Sequence, residues 1–239
     1  MNILITGGAS GLGESITREL AKDQNNKIYF TFYNSIEKAT EIETQFSNSK
    51  GIRCDFSDDS SVQELLSIIE KYNIQVLVNN AFTGLQTNYF HKTEPDYFLN
   101  NFKNNILPVI KITQSAILHF RKQKFGKIIT ILSSYIINKP PMGLSEYVAE
   151  KNYLLSLSKS WAIENAKFNI TSNSISPSMM QTELTANTDE RVIEEMINSH
   201  PLKKILSTAE VAQAVNYFAN ATQQINGTNL IINAASDII

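Results

Sequence analysis

The sequence predicts one three-layer α/β domain, in which helices cover both faces of a doubly wound parallel sheet. Strand-like and helix-like segments alternate along all 239 residues, which is typical of parallel strands joined by crossover helices. Several strand-like runs are almost wholly apolar, as at residues 128–132, and such runs suit strands buried on both faces. No composition break, internal repeat or Pro/Gly/Ser-rich linker divides the chain. A single domain over residues 1–239 is therefore the simplest organisation.

Seven segments have the character of strands, and six carry apolar residues at helical spacing. The predicted strands cover residues 2–6, 27–33, 51–54, 75–79, 127–132, 169–175 and 229–232. The predicted helices cover residues 12–22, 36–46, 60–72, 102–124, 146–165 and 208–220. Ser207 stands three residues before Glu210, which predicts a capping box at the start of the last helix. Segment 179–202 lacks a strand pattern and is a candidate substrate loop, although an ordinary surface excursion fits it equally well.

Composition argues against several classes of function. The net charge of −2 gives no bulk basicity for nucleic acid or an anionic membrane. The single Cys54 excludes an internal disulfide and fits a reducing compartment. The three histidines are scattered without metal-ligand spacing. No signal-peptide pattern opens the chain, and no apolar run of about 20 residues occurs in it. We therefore expect a cytoplasmic protein that binds no metal, membrane or nucleic acid.

A glycine-rich turn follows the first predicted strand and opens the first predicted helix. Residues 6–13 read TGGASGLG. Glycines permit a tight turn and let the backbone approach a pyrophosphate, whose charge the helix N-terminus favours. The alternative is that these glycines only allow the chain to turn and bind no dinucleotide. The strand–loop–helix context favours a dinucleotide site, with these candidate contacts: Gly7, Ser10, Gly11, Leu12 and Gly13.

The end of the second strand indicates which dinucleotide binds. An Asp or Glu at this position would hydrogen-bond the ribose 2′-hydroxyl of NAD, but residues 30–35 read FTFYNS. A 2′-phosphate meets no repulsion here, and Asn34 and Ser35 can donate hydrogen bonds to it. No arginine lies in this turn or in the glycine turn. NADP(H) is therefore favoured over NAD(H), on the ground of the missing carboxylate and without a cation in these two turns.

Tyr147 and Lys151 lie four residues apart in a helical pattern, so they share a face. A phenol titrates at about 10, and a nearby ammonium lowers that pKa by favouring phenolate. Tyr147 can then exchange a proton with a carbonyl or alcohol oxygen. A serine at the end of the preceding strand, Ser133 or Ser134, can hold the same oxygen. Together with the glycine turn, this pair indicates hydride transfer.

These motifs resemble those of the short-chain dehydrogenase/reductase family, over essentially the whole chain. The family's glycine turn matches residues 6–13, and its Tyr-x-x-x-Lys motif matches Tyr147 and Lys151. Its Asn-Asn-Ala-Gly motif reads NNAF at residues 79–82, and its Pro-Gly segment reads PSMM at residues 177–180. The resemblance implies a Rossmann fold and an NAD(P)(H)-dependent interconversion of a ketone and a secondary alcohol.

The resemblance also implies roles for individual residues. Tyr147 is the expected acid/base, and Lys151 is expected to lower its pKa and bind the nicotinamide ribose. Asn105 is expected to hold a water that relays protons to Lys151. Further cofactor contacts are implied for Asp55, Phe56, Asn80, Ala81, Pro177, Met180 and Thr182.

The catalytic serine has two candidates. Counting along the strand from Gly126 gives Ser133, whereas counting back from the tyrosine by the family's usual offset gives Ser134. Loops vary in length more readily than strands do, which favours Ser133.

The chain departs from the family pattern at three places. Phe82 replaces a glycine beside the ribose and substrate region, where the chain path is expected to shift. Ser178 replaces the glycine after Pro177, and Ala234-Ala235 replaces a Gly-Gly pair that often supports subunit contacts. None of these changes removes a catalytic group.

Among relatives, residues 127–133 and 147–182 are most similar to those of 3-oxoacyl-carrier-protein reductases and of ketoreductases from biosynthetic clusters, which implies a small-molecule or carrier-bound carbonyl substrate. A carrier protein would need a basic patch, for which solvated surface charge is the alternative; the candidates are Lys92, Lys103, Lys122, Lys124 and Lys139. A catalytically silent nucleotide-binding regulator of the same fold is the second hypothesis, and the retained catalytic residues weigh against it.

Surplus apolar residues on two long helices predict self-association. A helix on one side of a sheet needs a single apolar stripe, but segments 102–124 and 146–165 carry more. The residues concerned include Ile110, Ile117, Leu154, Leu157 and Trp161. Pairing these helices across a two-fold axis would bury the surplus, so we expect a dimer or, as the family resemblance implies, a tetramer.

Overall fold

The computed structural model describes residues 1–186 and 188–236, which form a seven-stranded sheet with helices on both faces. The strands are β1 Asn2–Ile5, β2 Lys27–Phe32, β3 Ser49–Arg53, β4 Val76–Asn79, β5 Gly126–Ile131, β6 Ile170–Pro177 and β7 Asn229–Ile232. Their order is β3-β2-β1-β4-β5-β6-β7, with every neighbouring pair parallel. The strand order reverses between β1 and β4, the point at which doubly wound sheets bind their ligands.

Eight α-helices occur within the described ranges. They are α1 Gly11–Ala21, α2 Ile36–Gln45, α3 Asp59–Lys71, α4 Pro95–Asn101, α5 Leu107–Gln123, α6 Ser145–Asn165, α7 Glu190–Ser199 and α8 Thr208–Asn220. All six predicted helices are present. The capping box is confirmed, since Ser207 Oγ accepts from the Glu210 N–H at 3.3 Å and the Glu210 carboxylate accepts from the Ser207 N–H at 2.9 Å.

The two faces of the sheet bury separate apolar clusters, because strand side chains alternate between faces. Ile3 and Ile5 belong to the cluster that includes apolar residues of α1, α2 and α8, whereas Leu4 belongs to the cluster with α3, α5 and α6. Ile3, Leu4 and Ile5 are all fully buried. The three-layer fold is therefore confirmed.

The predicted helix over residues 102–124 is interrupted at its start. Residues Phe102–Ile106 form a π-helical turn, in which the Leu107 N–H donates to the Phe102 carbonyl five residues back. Pro108 follows directly and has no N–H for a regular helical bond. Wide turns of this kind are frequent at functional sites, and this one contains Asn105.

Segment 179–202 contains more regular structure than its sequence pattern indicates. It includes a short 3-10 turn at Glu183–Thr185 and the surface helix α7. Residue 187 of this candidate substrate loop, and residues 237–239 of the predicted domain, lie outside the described residues. Within the described part, none of the helices combines the length and apolar content of a membrane span.

Candidate active site

The glycine turn has a shape that its glycines require. Gly7 has φ of +65°, a region that side chains other than glycine rarely adopt. A Cβ on Gly13 would lie 1.9 Å from the Gly7 carbonyl oxygen, so the start of α1 packs directly on the turn. The Gly7 N–H donates to Thr31 Oγ1 at 2.9 Å, and Thr17 Oγ1 donates to the Gly8 carbonyl at 2.8 Å. The backbone is thus held in a cradle that fits a pyrophosphate.

Thr6 joins the glycine turn to the end of β4. Its hydroxyl accepts from the Asn80 N–H at 2.9 Å and the Ala81 N–H at 3.0 Å, and donates to the Val78 carbonyl at 3.3 Å. The Asn80 carboxamide donates to the Thr6 carbonyl at 2.9 Å. The structure therefore brings the predicted contacts after β1 and after β4 together at the switch point.

Other predicted cofactor contacts of the glycine turn differ in what their side chains do. Ser10 precedes α1 without capping it through its side chain. The Leu12 side chain packs into the core, so the backbone of Leu12 is the part that can contact a cofactor at the turn. Thr182 lies against Gly11, since a Cβ on Gly11 would be 3.1 Å from Thr182 Cβ and 2.8 Å from a Glu183 carboxylate oxygen. The segment after β6 therefore lies over the glycine turn.

Pro177 is the last residue of β6, and Met180 packs against the core cluster shared with α1. Between them, the Ser178 N–H donates to the Ile232 carbonyl at 2.8 Å. The serine that replaces the family's glycine is thus accommodated in the sheet edge.

A cation lies at the end of β2 that sequence analysis missed. Arg53 ends β3 beside Phe32 of β2, and its guanidinium lies 5.9 Å from the centre of the exposed Tyr33 ring. Its Nε donates to the Tyr33 carbonyl at 3.4 Å. Strand register is the signal that would have found it, because parallel pairing places a β3 side chain next to the β2 turn.

Lys38 is a second cation near this turn. Its ammonium pairs with Glu183 at 2.7 Å and Glu14 at 3.4 Å, so its charge is already matched by carboxylates. Asn34 and Ser35 occupy the turn between β2 and α2, and the Ser35 side chain does not cap α2.

Asp55 and Phe56 follow β3 at the same edge of the sheet. The Asp55 carboxylate accepts from the Ser57 hydroxyl at 2.7 Å and the Ser57 N–H at 2.8 Å, and these bonds lower the pKa of Asp55. Phe56 packs partly buried against the core. Asp55, one of the predicted cofactor contacts, is therefore a hydrogen-bond acceptor held in a fixed orientation.

Ser133, and not Ser134, acts on the predicted acid/base. Ser133 follows β5 and is buried, and its side chain lowers the pKa of the Tyr147 phenol against the larger effect of burial. Its Oγ also accepts from the Tyr135 N–H at 3.3 Å. Ser134, which is also buried, begins a 3-10 turn. The geometry agrees with the count along the strand from Gly126.

Lys151 is buried one turn after Tyr147. Its ammonium donates to the Ile131 carbonyl at 3.0 Å and lies 5.7 Å from the centre of the Tyr147 ring. Burial lowers the pKa of Lys151 to about 8. Surrounding protein also raises the pKa of Tyr147 to about 12, against the opposite effect of Ser133. Desolvation of the phenolate is the largest cause of this shift, and the expectation that Lys151 lowers the pKa of Tyr147 stays a prediction.

Phe82 contributes to this desolvation. Its ring centre lies 4.4 Å from the Lys151 ammonium and 5.1 Å from the Tyr147 ring, which it meets edge to face. The residue that replaces a small glycine therefore packs against both members of the pair. Sequence analysis singled out Phe82 but did not predict where its ring lies.

Asn105 lies beside the same centre, with its carboxamide already engaged. Oδ1 accepts from the Thr83 N–H at 3.0 Å, while Nδ2 donates to the Thr83 carbonyl at 3.1 Å and to Glu150 Oε2 at 3.2 Å. Asn105 thereby fixes the chain path after Phe82 and contacts Glu150, a buried carboxyl that sequence analysis did not consider.

Comparison with known proteins assigns the family. A family model described as "Enoyl-(Acyl carrier protein) reductase" matches residues 7–234, a span that includes Ser133, Tyr147 and Lys151. The chain belongs to the short-chain dehydrogenase/reductase family. Proteins that resemble it in sequence include the 3-oxoacyl-[acyl-carrier-protein] reductase MabA of Mycobacterium bovis, which is 28% identical over 92% of this chain and 85% of the relative.

Two solved structures share the fold of this chain. A 3-ketoacyl-(acyl-carrier-protein) reductase from Brucella melitensis complexed with NADH has a TM-score of 0.89 and 23% identity, covering 99% of this chain and 98% of that one. A variant actinorhodin polyketide ketoreductase with NADPH has a TM-score of 0.88 and 19% identity, covering 99% and 97%.

Proposed function

We propose that this oxidoreductase reduces a 3-oxoacyl group, carried on an acyl carrier protein, to the 3-hydroxyacyl group. The observation that carries the proposal is that the buried Ser133 hydroxyl acts on the Tyr147 phenol at the sheet edge that holds the glycine turn. Two hydroxyls that converge on one point fit a single carbonyl oxygen. The 3-oxoacyl carrier-protein reductase among the relatives supports this substrate class.

The residues present fit a nicotinamide dinucleotide. The backbone of the glycine turn is packed so closely that a Cβ at its glycines would clash, so the turn presents backbone and not side chains to the dinucleotide. The nicotinamide supplies the hydride for carbonyl reduction when it is bound. Ser133 holds the substrate oxygen, and Tyr147 gives that oxygen its phenolic proton. Lys151 places a positive charge near the phenolate that remains and stabilises it.

From the charged residues near the turn that follows β2, we propose that the enzyme prefers NADPH to NADH. The turn has no carboxylate to bind a ribose 2′-hydroxyl, and Arg53 lies against Tyr33 with its guanidinium at this edge. Lys38 contributes less, since two carboxylates already pair with it. The expected result is a higher kcat/KM with NADPH than with NADH, and Arg53→Ala should narrow that ratio. A clear NADH preference in the parent chain would contradict the proposal.

Enoyl reduction is the second candidate, since the matched family model is described by that activity. A panel of one 3-oxoacyl thioester and the corresponding 2-enoyl thioester, each with NADPH and NADH, separates the two. We expect turnover of the 3-oxoacyl thioester. Turnover of the enoyl thioester alone would replace the proposal, and nucleotide binding without turnover of either would favour the silent regulator.

The two serines offer a matched test of the site. Ser133→Ala removes the hydroxyl that acts on Tyr147, and we expect kcat to fall roughly a hundredfold. Ser134→Ala removes a neighbouring buried hydroxyl, and kcat should stay within about threefold of the parent if catalysis depends on Ser133. The reverse order of effects would assign the role to Ser134.

We further propose a cytoplasmic homo-oligomer formed through α5 and α6. Leu154 and Trp161 are buried within the chain, so their assignment to a subunit contact was wrong. The two helices nevertheless expose other apolar side chains, namely Leu107, Leu118, Tyr153 and Ile163. Light scattering at micromolar concentration should report a dimer or tetramer, whereas a species near 26.8 kDa would contradict it.

A carrier-protein contact remains part of the proposal. Lys122 pairs with Glu70 at 3.1 Å, which weakens its case as part of a basic docking patch. The other candidates are exposed or partly exposed on the surface, and they are Lys92, Lys103, Lys124 and Lys139.

A further inference from the structure

Two glutamates on α6 alternate with the acid/base pair. Glu146 and Glu150 lie one turn apart, each directly preceding Tyr147 or Lys151 in sequence. Both glutamates are buried, at 6% and 5% exposure. Consecutive helix positions lie about 100° apart around the axis, so the glutamates form a second stripe next to the first.

The glutamate stripe packs against uncharged groups. Asn105 of the π-helical turn donates to Glu150 Oε2 at 3.2 Å, and the buried Asn101 at the end of α4 has no hydrogen-bond partner for its Nδ2 among the described residues. Tyr97 of α4 is the nearby titratable group on that helix, and burial, followed by the negative charge of Glu146, raises its pKa. Lys151, the lysine of the active site, is the cation whose charge acts on Glu150.

The two carboxyls are placed to share a proton. They lie four residues apart on one face of α6, and two carboxyl oxygens can hydrogen-bond each other only when one carries a hydrogen. Oε1 of each carboxyl is buried and has no hydrogen-bond partner among the other described residues, which leaves that shared proton to satisfy them. Burial, and then the charge of Glu146, raise the pKa of Glu150 to about 8.

We propose that Glu146 and Glu150 are positioning residues that set the charge of Lys151. Glu150 in its ionised form stabilises the buried ammonium next to it, and Glu146 opposes that ionisation by keeping a proton on Glu150. The charge on Lys151, and through it the stability of the Tyr147 phenolate, then depends on how one proton is divided between two carboxyls. The consequence for turnover rests on the proposed reductase function, but the titration of Lys151 does not.

Two isosteric substitutions give opposite expectations. Glu150→Gln removes the carboxylate beside Lys151 while its amide oxygen still accepts from Asn105. Glu146→Gln leaves Glu150 as the one carboxyl of the stripe, which then ionises at lower pH and places its full charge near Lys151. Residues that serve packing alone would not move the titration of Lys151 in opposite directions.

The test is a titration of the full-length chain labelled with ¹³C at lysine Cε and followed by NMR. The Lys151 resonance is identified by its loss in Lys151→Arg. We expect a midpoint of about 8 in the parent, a midpoint roughly one pH unit lower in Glu150→Gln, and a higher midpoint in Glu146→Gln. Glu150→Asp keeps the charge and should return the midpoint toward the parent value, which keeps the test valid if the Gln variant folds poorly.

Equal midpoints in parent, Glu150→Gln and Glu146→Gln would overturn the inference, as would shifts in the same direction. The kcat–pH profile for 3-oxoacyl thioester reduction should move with the NMR midpoints. If the Lys151 midpoints move as expected but no ketone is reduced, the proposed function fails and the inference stands. If ketones are reduced and the midpoints do not move, the inference fails alone.

Discussion

The glycine turn and the Tyr147–Lys151 centre lie at one edge of the sheet, but they are built in different ways. The turn is made from backbone, held by the Thr6, Thr17 and Thr31 hydroxyls. The Tyr147–Lys151 centre is made from side chains, whose protonation depends on Phe82 and on the glutamate stripe. A motif therefore determines the shape of the first region, whereas residues between the motif positions determine the chemistry of the second.

The largest expected effect comes from Tyr147→Phe. The phenol is the group in this centre placed to protonate a substrate oxygen, so we expect kcat to fall by about a thousandfold or more. The glycine turn does not depend on this hydroxyl, so nucleotide binding measured by fluorescence should stay close to that of the parent. Activity within tenfold of the parent would remove Tyr147 from the mechanism and with it the contrast between the two regions.

Gly13→Ala tests the first region, the glycine turn, which is made from backbone. The added Cβ would lie 1.9 Å from the Gly7 carbonyl oxygen, which forces the turn and α1 apart. We expect a loss of roughly 1–3 kcal/mol in the free energy of unfolding and a clear loss of nucleotide affinity. Urea unfolding and nucleotide titration measure these effects. An alanine variant with parental affinity would show that the turn does not hold the cofactor.

Phe82→Gly tests how far one ring controls the second region. Water that replaces the ring should raise the pKa of Lys151 from about 8 toward its ordinary 10.5. Reduction requires Lys151 in its charged form, which predominates below that pKa. The descending limb of the kcat–pH profile should therefore move to higher pH.

Phe82→Leu is the matched control, because leucine keeps the lysine covered by apolar atoms. Its descending limb should stay near that of the parent. If the glycine and leucine variants gave the same profile, burial by the Phe82 ring would not be the cause of the low Lys151 pKa.

The smallest expected effect concerns Ala234 and Ala235, where the family has glycines. Both alanines have positive φ, at 50° and 61°, which costs about 1 kcal/mol each for a residue with a Cβ. Ala234→Gly and Ala235→Gly should therefore each raise the free energy of unfolding by up to about 1 kcal/mol, partly offset by the flexibility of glycine in the unfolded chain. Unchanged or lower unfolding midpoints in urea would show that the two alanines are not strained.

The sequence predicted the sheet well because its signals are local. Some patterns indicate the local conformation of the very residues that form them, and examples are the apolar run at residues 128–132 and the glycine turn. The short helices α4 and α7 were missed, since neither carries a long apolar repeat, and the π-helical turn before Pro108 was read as ordinary helix.

Within the site, chain counting selected Ser133 because a strand fixes its own length. Side-chain environments were harder to predict. Arg53 reaches the β2 turn only through strand pairing, and the raised pKa of Tyr147 depends on where the Phe82 ring packs. These are contacts between segments far apart in the chain, which a local pattern does not contain.

The Thr6 hydroxyl has a consequence for how the protein folds. Its bonds to Asn80 and Ala81 connect residues 74 and 75 positions apart, and they form only when β4 docks on β1. The floor of the proposed dinucleotide site is therefore a non-local product of folding, absent from an isolated β1-α1-β2 fragment. A nucleotide bound there bridges both halves of the sheet, so its binding energy adds to the cooperativity of the whole domain and not to one half of it.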